Sequence, residues 1–291
     1  MIILTHIGSL PKYLKFTLQQ IRFFNKDEKI IFIGDDKNEG LFKKYNITYI
    51  KKNIKNNPKY NNLLLLDKKQ NIFNDYPTKD FWVFTYARFY LIEEFLKDSP
   101  NQPFFFFEND IMIYNSLSKI EDYLKTLKGN IFFTVGDDTR ITTGMSFFKN
   151  NEDFIKLVGD MDNILFNKEE IKDIRKNYSN CCPSEMVILR KIKNKYEYIK
   201  DLPILPYPAE GFIFDPATYG QVLGGNRQGK KHIDKKTYIG QEILKNKIKV
   251  KFKKTKEGIK KPVCIYKDKE YEISNLHIHS KNLKKFLSDD F

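Results

Sequence analysis

The sequence is poor in the residues and runs that usually place a protein quickly. Its 291 residues include one tryptophan, three cysteines and four histidines. The cysteines (Cys181, Cys182 and Cys264) fit neither a disulfide framework nor a Cys-x-x-Cys metal site, so reduced thiols are expected. No run approaches the roughly 20 apolar residues of a transmembrane helix. The opening Met1-Ile2-Ile3-Leu4-Thr5-His6 has no basic signal-like stretch and runs straight into a strand-like segment. The expectation is therefore cytoplasmic, with peripheral membrane contact left open by the charge. A Walker Gly-Lys-Ser/Thr, a zinc-finger spacing and an RNP-type motif are all missing, as are internal repeats and linkers.

What is present supports one large folded unit. Hydrophobic residues make up 41% and aromatic residues 15%, ample for a packed core. The formal charge is +14, which suits an anionic partner: a phosphorylated substrate, an anionic membrane surface or nucleic acid. Abundant Lys, Asn, Ile and Phe also give a compositional reason for the charge, and no specific nucleic acid is expected.

Apolar periodicity predicts strands at Ile2–His6, Lys29–Ile33 and Ile47–Ile50, with helices over Lys12–Phe24 and Leu41–Tyr45 between them. The second strand ends at Gly34-Asp35-Asp36. That alternation implies a parallel sheet with helices on its faces. The stretch Lys51–Asp80 reads as loop and short helix, and Phe81–Lys97 as an amphipathic helix. Phe104–Phe107 follows as a buried central strand. A capping box at Ser118-Lys119-Ile120-Glu121 predicts a helix to Leu127. Strands are expected at Ile131–Val135 and Gly144–Phe148, and helices at Asp153–Phe166 and Ser184–Lys193. A Pro/Gly-rich stretch runs from Pro203 through Pro208 to Gly225. Beyond it, Ile243–Lys254 and Val263–Ile273 look like strands.

Chemistry concentrates at Glu108-Asn109-Asp110, just past the Phe104–Phe107 run. Ligands bind beyond strand ends in open α/β sheets. Two carboxylates so close repel unless a cation lies between them, so a divalent metal is the natural occupant; a loop acid paired with one of the many lysines is the plainer alternative. His277 and His279 alternate, share a face if extended, and are continued by Lys281. Either imidazole would complete an O,O,N set with Glu108 and Asp110 that suits Mn²⁺, and a lysine alongside suits a diphosphate. Arg88 can reach a nucleotide or diphosphate, or pair with Glu93 or Glu94. His6 ends the first strand, where it serves a ligand or the structure. The small residues of Thr142-Thr143-Gly144 allow a ligand close to the backbone. The glycines from Gly211 to Gly225 read as a lid or acceptor loop.

In this order the elements resemble GT-A-type glycosyltransferases, whose sign is an acidic DxD motif after a hydrophobic strand. Here that motif is Glu108-Asn109-Asp110, with Arg88 before it, Thr143-Gly144-Met145 after it, and His277–Lys281 near the end. The chain looks closer to uncharacterised viral and bacterial glycosyltransferase-like proteins than to any well-studied subgroup. It departs from the pattern in having Glu108 for the first Asp and in lacking a Gly-x-x-Lys-Pro-Trp tail.

The resemblance implies a single GT-A-like (Rossmann-like) α/β domain over residues 1–291, with a mostly parallel central sheet and an elaborated C-terminal part. Residues 1–135 would bind the nucleotide-sugar, and residues 136–291 would supply the acceptor half and the metal/diphosphate segment. It implies Mn²⁺ or Mg²⁺, a UDP-sugar donor, and a glycan or other hydroxyl acceptor. The metal would be held by Asp110, Glu108, His277 or His279. The donor would meet Thr5, His6, Gly8, Asp35, Arg88, Glu108, Asn109, Thr143, Gly144 and Lys281. A carboxylate base, if needed, would come from Glu185 or Asp215, with Asp137 and Asp138 as further choices. A metal-dependent nuclease or nucleotidyltransferase, and a non-catalytic nucleotide-sugar-binding protein, are the rival classes.

Overall fold

A computed structural model describes residues 1–35, 39–73, 79–178, 182–207 and 211–289. Asp36, Cys181 and Pro208 lie outside the described residues. The chain opens with β1 (Ile2–His6), α1 (Leu14–Phe24), β2 (Ile30–Gly34), α2 (Glu39–Lys44) and β3 (Ile47–Lys51). Two helices follow, α3 (Pro58–Gln70) and α4 (Lys79–Lys97), then β4 (Phe104–Phe107), β5 (Ile111–Ile113) and α5 (Leu117–Thr126). Next come β6 (Ile131–Val135), β7 (Ile141–Phe148), α6 (Asn151–Leu165), α7 (Lys168–Asn177), α8 (Glu185–Lys195) and β8 (Ile199–Asp201). A helix at Tyr238–Leu244 precedes β9 (Ile248–Lys254), β10 (Lys260–Tyr266), β11 (Lys269–Glu272) and β12 (Asn275–His277).

The main sheet has the order β3-β2-β1-β4-β7-β6-β8. β1, β2, β3 and β4 run parallel; β7 runs antiparallel to both β4 and β6, and β8 is parallel to β6. The architecture is thus mixed α/β with a mostly parallel sheet between helices. Pleating explains how four successive phenylalanines are all buried, because side chains alternate between faces. Phe104 and Phe106 join Tyr86 and Phe89 of α4, Phe154 of α6 and Ile188 of α8 on one face. Phe105 and Phe107 meet Leu14 and Leu18 of α1 and Ile120 of α5 on the other. An apolar run without a polar side is what a doubly covered strand requires.

A third core cluster supports the C-terminal part. It gathers Met112 and Tyr114 after β4 with Tyr219, Ile248, Cys264, Leu276 and Phe286. β5 and β12 pair antiparallel, with His277 opposite Ile111. That small ribbon returns the end of the chain to the acidic motif.

Several expected elements differ. The capping box is not formed: α5 starts at Leu117 after Ser116, and the Ser118 hydroxyl lies 2.7 Å from that of Ser116. The polar stretch after β3 holds the 13-residue α3, capped by the Asn57 side chain with Pro58 at the first position. Ile243–Lys254 splits into a helix end and β9, with a positive φ at Asn246 between them. Val263–Ile273 is a hairpin, because Lys267 and Asp268 both take positive φ at a two-residue turn. β5, α7 and β8 are too short or too polar to stand out in the sequence.

Phe106→Ala should cost about 3–5 kcal/mol, because Phe106 is fully buried against α4 in the central strand. A shift in urea midpoint with little change in slope is the expected reading; no shift would mean that β4 is not central to the core.

Candidate functional site

The acids are presented by a sharp change of direction. β4 ends at Phe107, the Glu108 amide donates to Gly144 O of β7 (2.9 Å), and the chain turns at Asn109-Asp110 into β5. Asn109 is pinned by its own amide, which donates to Thr5 O (2.9 Å), and by Thr17 Oγ1, which donates to Asn109 O (2.5 Å). β12 then places His277 against both acids. Its Nε2 lies 3.3 Å from Glu108 Oε2 and 3.3 Å from Asp110 Oδ1.

The charges alternate in sign along a line that is buried at Glu185, Asp110 and His277, half-buried at Arg88 and Glu108, and exposed at Lys281. Glu185 at the start of α8 faces Arg88 Nη2 at 3.2 Å; the same nitrogen is 2.9 Å from Glu108 Oε1. Glu108 faces His277, His277 faces Asp110, and Asp110 Oδ2 takes an ion pair from Lys281. Thr143 joins the line by accepting from Arg88 (2.7 Å) and donating to Glu108 (2.7 Å). Thr85 donates to Glu185 (2.8 Å). Lone charges at such depth would be costly, but each here has an opposite neighbour and hydrogen bonds.

The titration behaviour follows from that order. Burial would lower the pKa of His277, but Asp110 and Glu108 outweigh it and raise it to about 10. Burial works against both acids too. Even so, Arg88 and then His277 hold Glu108 well below the usual carboxylate range, and His277 with Lys281 does the same for Asp110. Glu185 is pushed up by burial, which Arg88 only partly offsets. His279 differs from its neighbour: burial, then the His277 charge, lowers it to about 4.

The residues fit a divalent cation. One ligand atom each from Glu108, Asp110 and His277 lie within 4.8 Å of one another. His277 Nδ1 is buried without a hydrogen-bond partner, so this ring is not oriented by a carbonyl as many structural histidines are. A Cβ on Gly144 would sit 2.7 Å from His277 Nδ1 and 2.9 Å from Ile111 Cδ1, so only glycine leaves room for the ring. His279 stands outside this set. Its ring is edge-on to His277 at 4.5 Å between centroids, and its Nδ1 is 3.3 Å from Gln221 Nε2.

Around the first strand ends, Gly8 N donates to Asp35 Oδ1 (2.8 Å) and His6 Nε2 lies 2.8 Å from Ser9 O. Asn109 Nδ2 is 3.3 Å from His6 Nδ1, which links this edge to the acidic turn. Thr5, His6, Gly8 and Asp35 thus form one rim beside Asn109. Arg88, Thr143 and Gly144 all meet Glu108.

Asp215 is held differently. It is buried, and its two oxygens accept from four backbone amides: Ala217 and Tyr219 on Oδ1, Gly220 and His277 on Oδ2, at 2.8–3.0 Å. Burial pushes its pKa up to about 6 despite those amides. It ties the 217–220 turn to β12. Asp137 caps its own loop through Thr139 and Arg140, and Asp138 accepts from the Tyr238 hydroxyl. Tyr13 also belongs to this neighbourhood, although the sequence did not single it out among 17 tyrosines. The Lys281 ammonium lies 5.5 Å from its ring centroid, and burial together with Asp110 and Glu108 raises its hydroxyl pKa.

No protein-family model matches the chain, and no curated protein sequence matches it. Solved structures of similar fold do. Mouse xyloside xylosyltransferase 1, in its apo form, superposes with a TM-score of 0.50 at 9% identity, over 69% of this chain and 84% of that one. The galactosyltransferase LgtC, in complex with donor and acceptor sugar analogues, gives 0.44 at 14% identity over 69% and 73%. The glycosyltransferase GlyE of Streptococcus pneumoniae TIGR4 gives 0.40 at 11%, over 69% and 44%. At such identities the likeness is one of fold, and the fold is GT-A-like.

Two outcomes are expected of these residues. In NMR titration of the metal-free protein, His277 should stay an imidazolium at pH 8 while His279 is neutral at pH 6. A His raised in the folded state stabilises fully below its unfolded pKa of about 6.5 and loses that contribution towards about 10, so the melting temperature should fall across that window. His277 titrating near 6.5 would contradict the charge order. Asp215→Ala strands four buried amides and should lower stability by about 2–4 kcal/mol in a denaturant melt; a wild-type midpoint would remove its role as a clamp.

Proposed function

We propose that this protein is a metal-dependent glycosyltransferase that moves a sugar from a nucleoside-diphosphate sugar, a UDP-sugar, to a hydroxyl on a glycan or other acceptor. The observation that carries the reading is the meeting of Glu108, Asp110, His277 and Lys281 at the end of the central strand of a GT-A-like sheet. Residues 1–135 form the donor half in this reading, and residues 136–291 the acceptor half with the metal segment.

Asp110, Glu108 and His277 would hold Mn²⁺ or Mg²⁺, which when bound supplies Lewis-acid neutralisation of the leaving diphosphate. Lys281 and Arg88 add fixed positive charge that needs no rearrangement during the reaction. Thr5, His6, Gly8 and Asp35 would take the nucleoside, with Asn109 between that rim and the acids. Thr143 and Gly144 would line the donor close to the backbone. In transfer, the bond from the anomeric carbon to the diphosphate oxygen breaks and one to the acceptor oxygen forms, with the acceptor proton passing to the departing diphosphate.

Glu185 and Asp215 act in this reading through other residues. Glu185 fixes Arg88 with help from Thr85, and Asp215 fixes the backbone at His277. His279 packs edge-on against His277 and is itself met by Gln221. A nuclease or nucleotidyltransferase would want a further acid turned to the ions; Glu185, the next acid along the line of charges, is turned to Arg88 and Thr85.

UDP or a UDP-sugar should raise the melting temperature, and more with Mn²⁺ than without. A hundredfold excess over Kd corresponds to about 2.7 kcal/mol. Asp110→Ala and His277→Ala should abolish Mn²⁺-dependent donor hydrolysis while the fold persists, and His279→Ala should retain it. If no nucleotide shifts the melt with any divalent ion, or if Asp110→Ala hydrolyses the donor like wild type, the reading fails.

A further inference from the structure

The positive charge is not evenly spread. Residues 227–254 carry eleven Lys and Arg against two acids, a net +9 of the whole chain's +14. Five of these cations, against one acid, lie in the loop 227–236, Arg-Gln-Gly-Lys-Lys-His-Ile-Asp-Lys-Lys. Arg227, Lys230, Lys231, Lys235 and Lys236 are all exposed, and among the described residues none makes an ion pair. Asp234, the loop's one acid, is occupied with its own turn, accepting from Lys236 N (2.9 Å). Four lysines of the stretch that follows do find acids: Lys245 and Lys247 pair with Glu242, and Lys251 and Lys253 with Glu270. Five cations left without partners in ten residues serve no folding purpose evident in their contacts.

The loop is built onto the site and does not hang free. Its first end leaves the 221–225 turn, where Ser280 N donates to Gly225 O (2.8 Å) and His232 N donates to Gln221 O (3.1 Å). Asp215 Oδ2 accepts from Gly220 N and His277 N together, so one carboxylate fixes both the root of the loop and the His277 backbone. Its other end is anchored where Tyr238 N donates to Gly136 O (2.9 Å), beside the β6–β7 connection. The loop therefore runs between the His277–Lys281 segment and the β6–β7 connection.

One side chain in it is out of place for a purely ionic contact. Ile233, between Lys231 and Lys235, is 38% exposed, and Leu244 at the end of the following helix is 56% exposed. A soluble polyanion would use the cations and leave Ile233 in water. A lipid surface uses both: anionic headgroups for the lysines, and the headgroup–acyl boundary for the isoleucine.

We infer that the loop 227–236 is a docking surface for an anionic lipid membrane, which holds the C-terminal part of the chain against that surface. The attraction is short-ranged in salt, so binding is reversible and weakens as ionic strength rises. The inference concerns attachment and stands apart from the chemistry proposed for the site.

The test is co-sedimentation of the full chain with phosphatidylcholine vesicles, with and without phosphatidylserine. Wild type should sediment with the phosphatidylserine vesicles only and be released by salt. The quadruple variant Lys230→Ala, Lys231→Ala, Lys235→Ala, Lys236→Ala should lose on the order of a hundredfold or more in vesicle affinity, at roughly fivefold per cation. Ile233→Ser should lose roughly three- to tenfold with the charge intact. Melting temperature and vesicle-free donor hydrolysis should be unchanged in both, so failure of attachment is distinguishable from failure of the catalytic reading. Absence of vesicle binding, equal binding to neutral vesicles, wild-type binding by the quadruple variant, or binding of a sulfated polysaccharide in place of vesicles would each overturn the inference.

Discussion

The arrangement depends on one constraint: three carboxylates buried close together must each be met by a positive charge. Glu185, Glu108 and Asp110 are met by Arg88, His277 and Lys281 in strict alternation. With His277 protonated, the line is neutral. Removing Arg88 or His277 leaves carboxylates in the interior undercompensated, which costs several kcal/mol, far more than a surface pair contributes; Lys281, exposed to solvent, contributes least. The six residues come from α4, β4 and its turn, α8, β12 and the segment beyond it. Parts of the chain distant in sequence are therefore locked together by electrostatics at the point where the sheet ends.

The fold exists to bring those parts there. β4 is covered on both faces, so its end is fixed to the core to within the tolerance of packed phenylalanines. β5 and β12 return the C-terminal residues, and the Asp215 clamp sets the height of His277. Gly144 leaves the gap into which the imidazole fits. His277 Nε2 lies between the two acids, 3.3 Å from an oxygen of each, so a proton there offsets both carboxylates.

Much of this was legible in the sequence for physical reasons. Four phenylalanines ended by two acids can hardly be anything but a buried strand delivering carboxylates to a rim, and period-two spacing put His277 and His279 on one face. Arg88 was placed correctly on its helix, but its partners Glu108 and Glu185 lie 20 and 97 residues away, whereas the nearby Glu93 and Glu94 pair with Lys59 and Lys52. Helical or strand spacing cannot reveal such pairings. Nor could it separate His277 from His279: His277 is paired in β12 opposite Ile111, whereas His279 lies past the end of that strand. Asp215 looked like a free acid because its partners are backbone amides, which carry no sequence signal. The capping box at Ser118 failed because Ser116, one turn's start earlier, already begins the helix.

The central claim is that the line of charges is a divalent-cation site completed by a diphosphate. The most direct measurement is Mn²⁺ binding followed by the loss of its free-ion electron paramagnetic resonance signal, with and without UDP, in wild type and Asp110→Ala. Linkage requires that, if UDP and Mn²⁺ share the site, each tightens the other by the same factor. The account predicts one bound Mn²⁺ per wild-type chain, held more tightly with UDP, and loss of that binding in Asp110→Ala. No Mn²⁺ binding by wild type in the presence of UDP, or undiminished binding by Asp110→Ala, would contradict it.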